Sequence, residues 1–497
     1  MATKLNNTLK NEALNRDVLQ QWLKEVEKSK NHKLITTAIY HLGMIKTAKK
    51  ANAAAFANFD FSVNLATQGV TNQFNSGRCW LFAAVNIMRE GISKKLNLDG
   101  FELSQSYLAF WDKFERCNFY LESIIATIDK PLTDRYVYFF NQEPNADGGQ
   151  WDMVANVVEK YGVVPKSVMP DSYAAAHTSE INFLVNWMLR DGCIQLRNSK
   201  SKDVISLQAI KEDVLAQIFK FLVIAYGEPP QKFDFIYSAK QQIKNSKYKT
   251  VYDYKLEKFV EPNLTPLQFY KKHVKPQLGE YVSLIHAPTP SKPMYRKFTF
   301  EFLNNVVGGK PIMHHNVSMQ LLKYLALETL LEDKPLWFGS DVSNYGSRDT
   351  GVWDDQAFDY EHLFDTTFTL NKGSELDLHV SAMNHAMVIT GADFDINAFK
   401  KIQAQVKKLS GQKALDYLNA NMDKIGLTKW KIENSWGSAT GKDGYYMMSD
   451  SWFNKFVFQL VVDKKKFEFL KKHLNLSSFD MKPINLEPWD PIGTLAK

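Results

Sequence analysis

From Cys79 onward, hydrophobic residues recur three and four apart through Trp80, Phe82, Ala83, Ile87, Met88 and Ile92. That spacing predicts an amphipathic helix directly after the loop Gln68 to Arg78. The same period predicts helices at Asp17 to Asn31, Trp151 to Tyr161, Ser179 to Arg190 and Ser206 to Ala225, the last stopped by Gly227-Glu228-Pro229-Pro230. Beyond Leu336 the pattern changes to short runs rich in Val, Ile, Phe and Tyr. Leu336 to Phe338, His385 to Thr390, Lys429 to Asn434, Tyr445 to Met448 and Lys455 to Val462 predict strands, interrupted by a helical insert at Ala398 to Asp423. Helices first and antiparallel strands later predict an α+β fold with segregated halves, not an alternating doubly wound sheet. No internal repeat of fixed period is visible, which disfavours a solenoid.

These patterns divide the chain into a helical extension (1–60), a helical half (61–205), an inserted module (206–300), a β-rich half (301–480) with its insert at 398–423, and a closing segment (481–497). The boundary of the inserted module follows a change to Lys-, Tyr- and Pro-rich sequence from 227.

Composition narrows the class. With 45% hydrophobic and 23% charged residues, the 497-residue chain is neither disordered nor fibrous, and it is too long for one hydrophobic core. A net charge of +7 reads first as solvated surface and second as a basic face for anionic partners. Apolar runs such as Phe221 to Tyr226 and Phe456 to Val462 fall far short of the roughly 20 residues that span a bilayer, and no apolar signal stretch precedes residue 30, so neither membrane insertion nor export is expected. Three cysteines, Cys79, Cys117 and Cys193, make no disulfide framework or metal knuckle and point to a reducing, cytoplasmic setting. His314-His315 are adjacent and would diverge instead of sharing a metal, and no HExxH occurs. Gly437 to Asp443 has one residue too few between its glycines, and Asp443 after its lysine, to serve as a phosphate loop. No metal and no cofactor are expected.

The informative segment is Gln73-Phe74-Asn75-Ser76-Gly77-Arg78-Cys79-Trp80, where a cysteine opens the best predicted helix. Free backbone N–H groups and the helix dipole favour a thiolate there. Gln73, folded back beside that cysteine, would form an oxyanion hole with the Cys79 N–H. Asn384-His385-Ala386-Met387-Val388 sets a histidine at the head of a strand as a base for the thiol. Asn434 would orient its ring, with Trp436 shielding their hydrogen bond. Taken singly, each has an ordinary alternative: a core cysteine, a surface glutamine, a satisfied histidine, a turn. Together they stand in the order Gln, Cys, His, Asn.

That quartet resembles the papain-like cysteine peptidases. Asn72-Gln73-Phe74-Asn75-Ser76-Gly77-Arg78-Cys79-Trp80-Leu81-Phe82 resembles, more narrowly, bleomycin hydrolase and bacterial aminopeptidase C. Asp147-Gly148-Gly149-Gln150-Trp151, Trp337-Phe338-Gly339-Ser340-Asp341 and Pro488-Trp489-Asp490-Pro491 agree with it. Ser76 stands where secreted papain relatives carry a cysteine, so their disulfide cannot form.

The resemblance implies a papain-like fold, with a helical half, an antiparallel β-barrel-like half, helical insertions including a hook-like module, and a C-terminal arm lying in the cleft. It implies a thiol aminopeptidase acting on peptides, and on bleomycin-type amides as a side activity, assembled as a homohexameric ring. Catalysis falls to Cys79, His385, Asn434 and Gln73. Substrate binding falls to Gly148, Gly149 and Trp436, with Ala496 and Lys497 of the arm blocking the cleft beyond the first residues and its carboxylate attracting the peptide ammonium. Lys497 is expected to be trimmed by the enzyme itself. A second reading is a basic, oligomeric nucleic-acid-binding protein with a vestigial quartet. A third combines peptidase chemistry with weak, secondary nucleic-acid binding.

Overall fold

The computed structural model describes residues 14–28, 31–51, 58–242 and 254–497. They fall into two compact units.

The smaller unit joins the described residues up to Ala51 with Gln356–Thr369. It contains helices α1 (Arg16–Lys28) and α2 (His32–Leu42). An antiparallel bridge pairs Lys49 with Phe358, flanked by hydrogen bonds from Lys50 N to Ala357 O and from Asp359 N to Ala48 O, both 2.9 Å. The expected extension 1–60 thus recruits a strip from far downstream, which no local pattern announces.

In the larger unit, α3 (Cys79–Leu96), α4 (Gln105–Ala126), α5 (Trp151–Tyr161), α6 (Ser179–Asn198) and α7 (Val204–Tyr226) build the first hydrophobic core. Caps fix several starts. Ser104 accepts from Tyr107 N before α4, and Asp203 from Ser206 N before α7, each satisfying an amide left free at a helix start. Trp80, Val85, Leu108, Val154, Leu189 and Leu222 are all essentially inaccessible. Each buried side chain of this size is worth about 1.5–3 kcal/mol.

The stretch 206–300, expected as one inserted module, is shared out. Helix α7 buries Leu207, Val214, Ile218 and Leu222 in the first core because they recur at helical spacing. Only the antiparallel hairpin β1 (Phe233–Gln242) and β2 (Tyr254–Leu264) forms a separate two-stranded sheet. Tyr281–Ile285 (β3) and Lys297–Phe300 (β4) belong to the large sheet.

That large sheet has twelve strands, including β5 (His314–Asn316), β6 (Leu336–Ser340), β7 (His385–Asp393), β8 (Lys429–Glu433), β9 (Tyr445–Ser449), β10 (Val457–Asp463) and β11 (Ile484–Leu486). Their order is β11-β4-β5-β3-β10-β6-β7-β8-β9, continued by Val352–Trp353 and Gly346–Ser347. The expected antiparallel, barrel-like half is corrected to a mixed sheet with two ends. The β3–β5, β4–β11 and β9–Val352–Trp353 pairs are parallel, because the chain reaches each of these partners by a crossover instead of a tight turn. The expected strand start at Lys455 is also displaced. Ser449 caps a short helix, Asp450–Phe456, and β10 begins after it.

Helices α8 (Met319–Leu330), α9 (Ile396–Lys408) and α10 (Gly411–Asn421) cover this sheet through the second core, where Leu325, Phe338, Ile389, Trp430 and Leu460 are buried. The last two helices fill the interval between β7 and β8. No described helix is long and apolar enough to cross a membrane. Strand β7 faces both cores: Ala386 and Val388 enter the first, where α3 with Cys79 lies, and Met387 and Ile389 enter the second.

Candidate active site

The loop before α3 is anchored to the chain after β8. Gln73 N donates to Ser435 O (2.8 Å), Gly437 N to Thr71 O (3.0 Å), and Asn72 and Trp436 form a bridge. Phe74 adopts a left-handed backbone (φ 52°) while its N–H is held by Asn72 Oδ1 at 2.9 Å, an Asx turn that reverses the chain. The Gln73 side chain is fixed at both ends. Its Oε1 accepts from Ser435 Oγ (2.6 Å) and its Nε2 donates to Ser76 O (2.5 Å), leaving the amide's second N–H uncommitted by that bond.

Helix α3 starts without a side-chain cap. Its first amides therefore remain available, and those of Cys79 and Trp80 act on the thiol together with Ala386 N, which points at Cys79 Sγ from 3.4 Å. The strand head is thus in contact with the thiol. His385 Nε2 lies 2.9 Å from Asn434 Oδ1. Ser435 N also donates to that oxygen (2.7 Å), so Oδ1 is the acceptor, Nε2 carries the proton, and Nδ1 keeps the lone pair. Trp436 stacks on the imidazole with centroids 4.9 Å apart and planes at 28°. Gln73, Cys79, His385 and Asn434 are brought together, all buried.

Burial dominates the electrostatics. It pushes the Cys79 thiol up to about 12, against the downward pull of the surrounding amides, and it pushes His385 down to about 4, against the Asn434 hydrogen bond. Burial thus opposes the thiolate that the helix terminus and the surrounding amides favour.

The cleft floor is Asp147-Gly148-Gly149. Gly149 exchanges two backbone hydrogen bonds with Ala496: Gly149 N to Ala496 O at 2.9 Å, and Ala496 N to Gly149 O at 3.1 Å. Lys497 N then donates to Asn384 O (3.0 Å), the residue before His385. Glycine is required twice. A Cβ on Gly149 would sit 2.5 Å from the Trp80 ring, and one on Gly148 would sit 2.9 Å from Ala496 O. A Cβ on Gly77 would come within 2.9 Å of Lys497 Cβ, so Lys497 lies against the loop before α3. A cavity of about 680 Å³ opens along this segment, lined by Phe140, Phe302, Met383, Trp489 and Leu495 among others.

Several contributors escape sequence reasoning. Asn384 offers a backbone carbonyl, Ala386 a backbone amide and Ser435 a hydroxyl. The first two act through the backbone and have no side-chain signature, and a serine hydroxyl is too common to carry one. Lys113 and Asp147 form a buried ion pair (2.6 Å), and Asp147 Oδ2 accepts from Gly77 N (3.1 Å) while its carbonyl accepts from Trp80 Nε1 (2.8 Å). Lys113 holds the Asp147 carboxyl well below the usual carboxylate range, in spite of burial. The acid beside two glycines was the available signal.

Among the described residues no three His, Cys, Asp or Glu cluster as metal ligands. His314 and His315 lie buried on β5, each with its Nδ1 on Ser283, at 3.3 Å from the hydroxyl and 3.2 Å from the carbonyl. Gly437 to Asp443 forms a turn with positive φ at both glycines.

The peptidase C1-like family model matches residues 13–414 and 413–493. Aminopeptidase C of Lactobacillus delbrueckii subsp. lactis is 38% identical over 484 residues, spanning 97% of this chain and 98% of that protein. Bleomycin hydrolase of Gallus gallus is 35% identical over 446 residues, 88% of this chain and 89% of its own. The crystal structure of pepw from Lactobacillus rhamnosis HN001 superposes with a TM-score of 0.85 at 36% identity, covering 98% of this chain and 100% of that one.

Proposed function

The chain belongs to the peptidase C1-like family, in the bleomycin hydrolase and aminopeptidase C branch of the papain-like peptidases, and from that premise we propose that it is a cysteine-type aminopeptidase. Cys79 Sγ attacks the carbonyl carbon of the first residue as its proton passes to His385 Nδ1. The resulting oxyanion accepts from Gln73 Nε2 and the Cys79 amide. The C–N bond then breaks, His385 returns the proton to the leaving amine, and a thioester remains on Cys79. Water, deprotonated by His385, hydrolyses the thioester and frees the thiol. Asn434 holds the imidazole in the tautomer this needs, and Trp436 keeps water from their hydrogen bond.

One observation carries the restriction to amino termini: residues 496–497 are already paired along Gly149 and Asn384. A longer peptide would need that same backbone, so room is left for little more than the residue whose carbonyl is attacked. Lys497, lying against the nucleophile loop, stands where that residue must go, so cleavage requires it to move away or be removed. Release of a fluorophore from aminoacyl amides tests the reading. Free-amine substrates are cleaved, acetylated ones are not, and Cys79→Ala cleaves neither. Equal turnover of blocked and free substrates overturns the gate, and inactivity of the wild type toward all of them overturns the peptidase.

Peptides are the substrate class, with bleomycin-type amides as a side activity. The three cysteines are free and buried, in keeping with the cytosol as the working compartment. A homohexamer is the proposed assembly. Phe183 and Trp187 stand exposed side by side on α6 (centroids 5.7 Å), an apolar surface suited to a second copy. Nucleic-acid binding is secondary at most. In the cluster 464–472, Lys465, Lys466 and Lys471 are already paired with Glu280, Glu332 and Asp480.

A further inference from the structure

The arm's backbone hydrogen bonds lie with Gly149 and Asn384, on one side of the nucleophile. The peptide released by the first cleavage must therefore leave across the other side, over Trp436. There the indole carries two neighbours. The imidazole of His385 stacks on it at 4.9 Å, and the guanidinium carbon of Arg348 sits 4.7 Å from its ring centroid. The cation is thus held within two stacking distances of the catalytic ring.

Arg348 is exposed and makes no ion pair among the described residues, although Asp349 follows it. Its backbone oxygen accepts from Tyr446 Oη at 3.3 Å, which fixes the chain at this point, and Tyr446 packs edge-on against Trp436 with centroids 5.7 Å apart. A guanidinium held over an aromatic face by its carbon still has N–H groups to offer a planar anion. Arg348 also helps hold His385 below its ordinary value.

We propose that Arg348 binds the α-carboxylate of short peptide substrates, so that dipeptides and tripeptides are preferred over otherwise identical peptides ending in a neutral amide. The proposal rests on the aminopeptidase reading and names its substrate class. A carboxylate docked there also offsets the Arg348 charge beside His385, which makes the imidazole a better acceptor for the thiol proton when the correct substrate is bound.

The test compares leucyl-alanine with leucyl-alaninamide on the full-length wild type, Arg348→Met and Arg348→Lys, following free leucine. The wild type is expected to favour the acid by about tenfold in kcat/KM, mostly through KM, as an exposed charge-assisted contact allows. In Arg348→Met the ratio falls to near one, and Arg348→Lys keeps part of it. Preference for the acid should shrink with added salt. Equal use of acid and amide by the wild type, or an unchanged ratio in Arg348→Met, overturns the proposal and leaves the aminopeptidase standing. Failure of the wild type to cleave either overturns both.

Discussion

The two cores hold their halves of the site by different means. On the helical side, the loop leading to Cys79 has little regular structure, and buried charges define it. Lys113 pairs with Asp147 at 2.6 Å and Arg78 with Asp171 at 3.0 Å, while Arg116, held within α4 by Asp112, donates to Gly148 O at 2.6 Å. On the sheet side, His385 is fixed by the ladder of β7 with β6 and by stacked aromatics: Trp436 on His385, and Trp353 against Tyr446 and Trp452. A strand has its backbone partners supplied by its neighbours, whereas a loop must find each partner separately, and charged side chains do this at a cost in desolvation. Accuracy on the nucleophile side therefore depends on pairs that fail badly when half is removed.

Experiments can break this contrast, beginning with the largest effect. Cys79→Ala should lower hydrolysis by roughly 10³-fold or more with the fold intact, measured by substrate turnover alongside circular dichroism. Lys113→Met should cost about 3–5 kcal/mol by leaving Asp147 as an unpaired buried charge, read from the urea midpoint. Adding Asp147→Leu should recover part of that loss; no recovery would mean the pair is not the cause. On the sheet side, Asn434→Ala should lower kcat roughly 10- to 100-fold while costing only about 1–2 kcal/mol in stability, since the ladder holds His385 without it.

The smallest effect concerns protonation. Desolvation raises the Cys79 thiol to about 12, so below that value the thiolate fraction, and the alkylation rate, climb as pH rises. Removing residues 494–497 uncovers the thiol and moves it back down, so alkylation by iodoacetamide at pH 8 should quicken, by about tenfold for each unit recovered. An unchanged rate in the shortened chain would show that the segment does not seal the site.

The sequence was most readable where one residue type does one job. Helix α3 follows from the spacing of its apolar residues, β7 from its run Val388-Ile389-Thr390, and β8 from the alternation of Trp430 and Ile432 with charged residues. Gln73, Cys79, His385 and Asn434 each bring a side chain whose chemistry announces it. Illegible features depend on partners far away in the chain. Among these are the crossovers that make the sheet mixed, the docking of Gln356–Thr369 on the extension, and the entry of α7 into the first core. The electrostatics of the thiol were illegible for the same reason. A helix terminus is a local feature, but the desolvation that opposes it is produced by everything packed around Cys79.

The paired hydrogen bonds between Gly149 and Ala496 act as a ruler. They run from backbone to backbone, so the distance from the end of the occupied groove to the sulfur is counted in peptide units, whatever the side chains. An enzyme built on that measure shortens its substrate by equal steps, and every product returns as a new substrate with a fresh amino end. Peptides of unrelated sequence would then converge on free amino acids, halted only by residues whose shape or missing N–H spoils the fit.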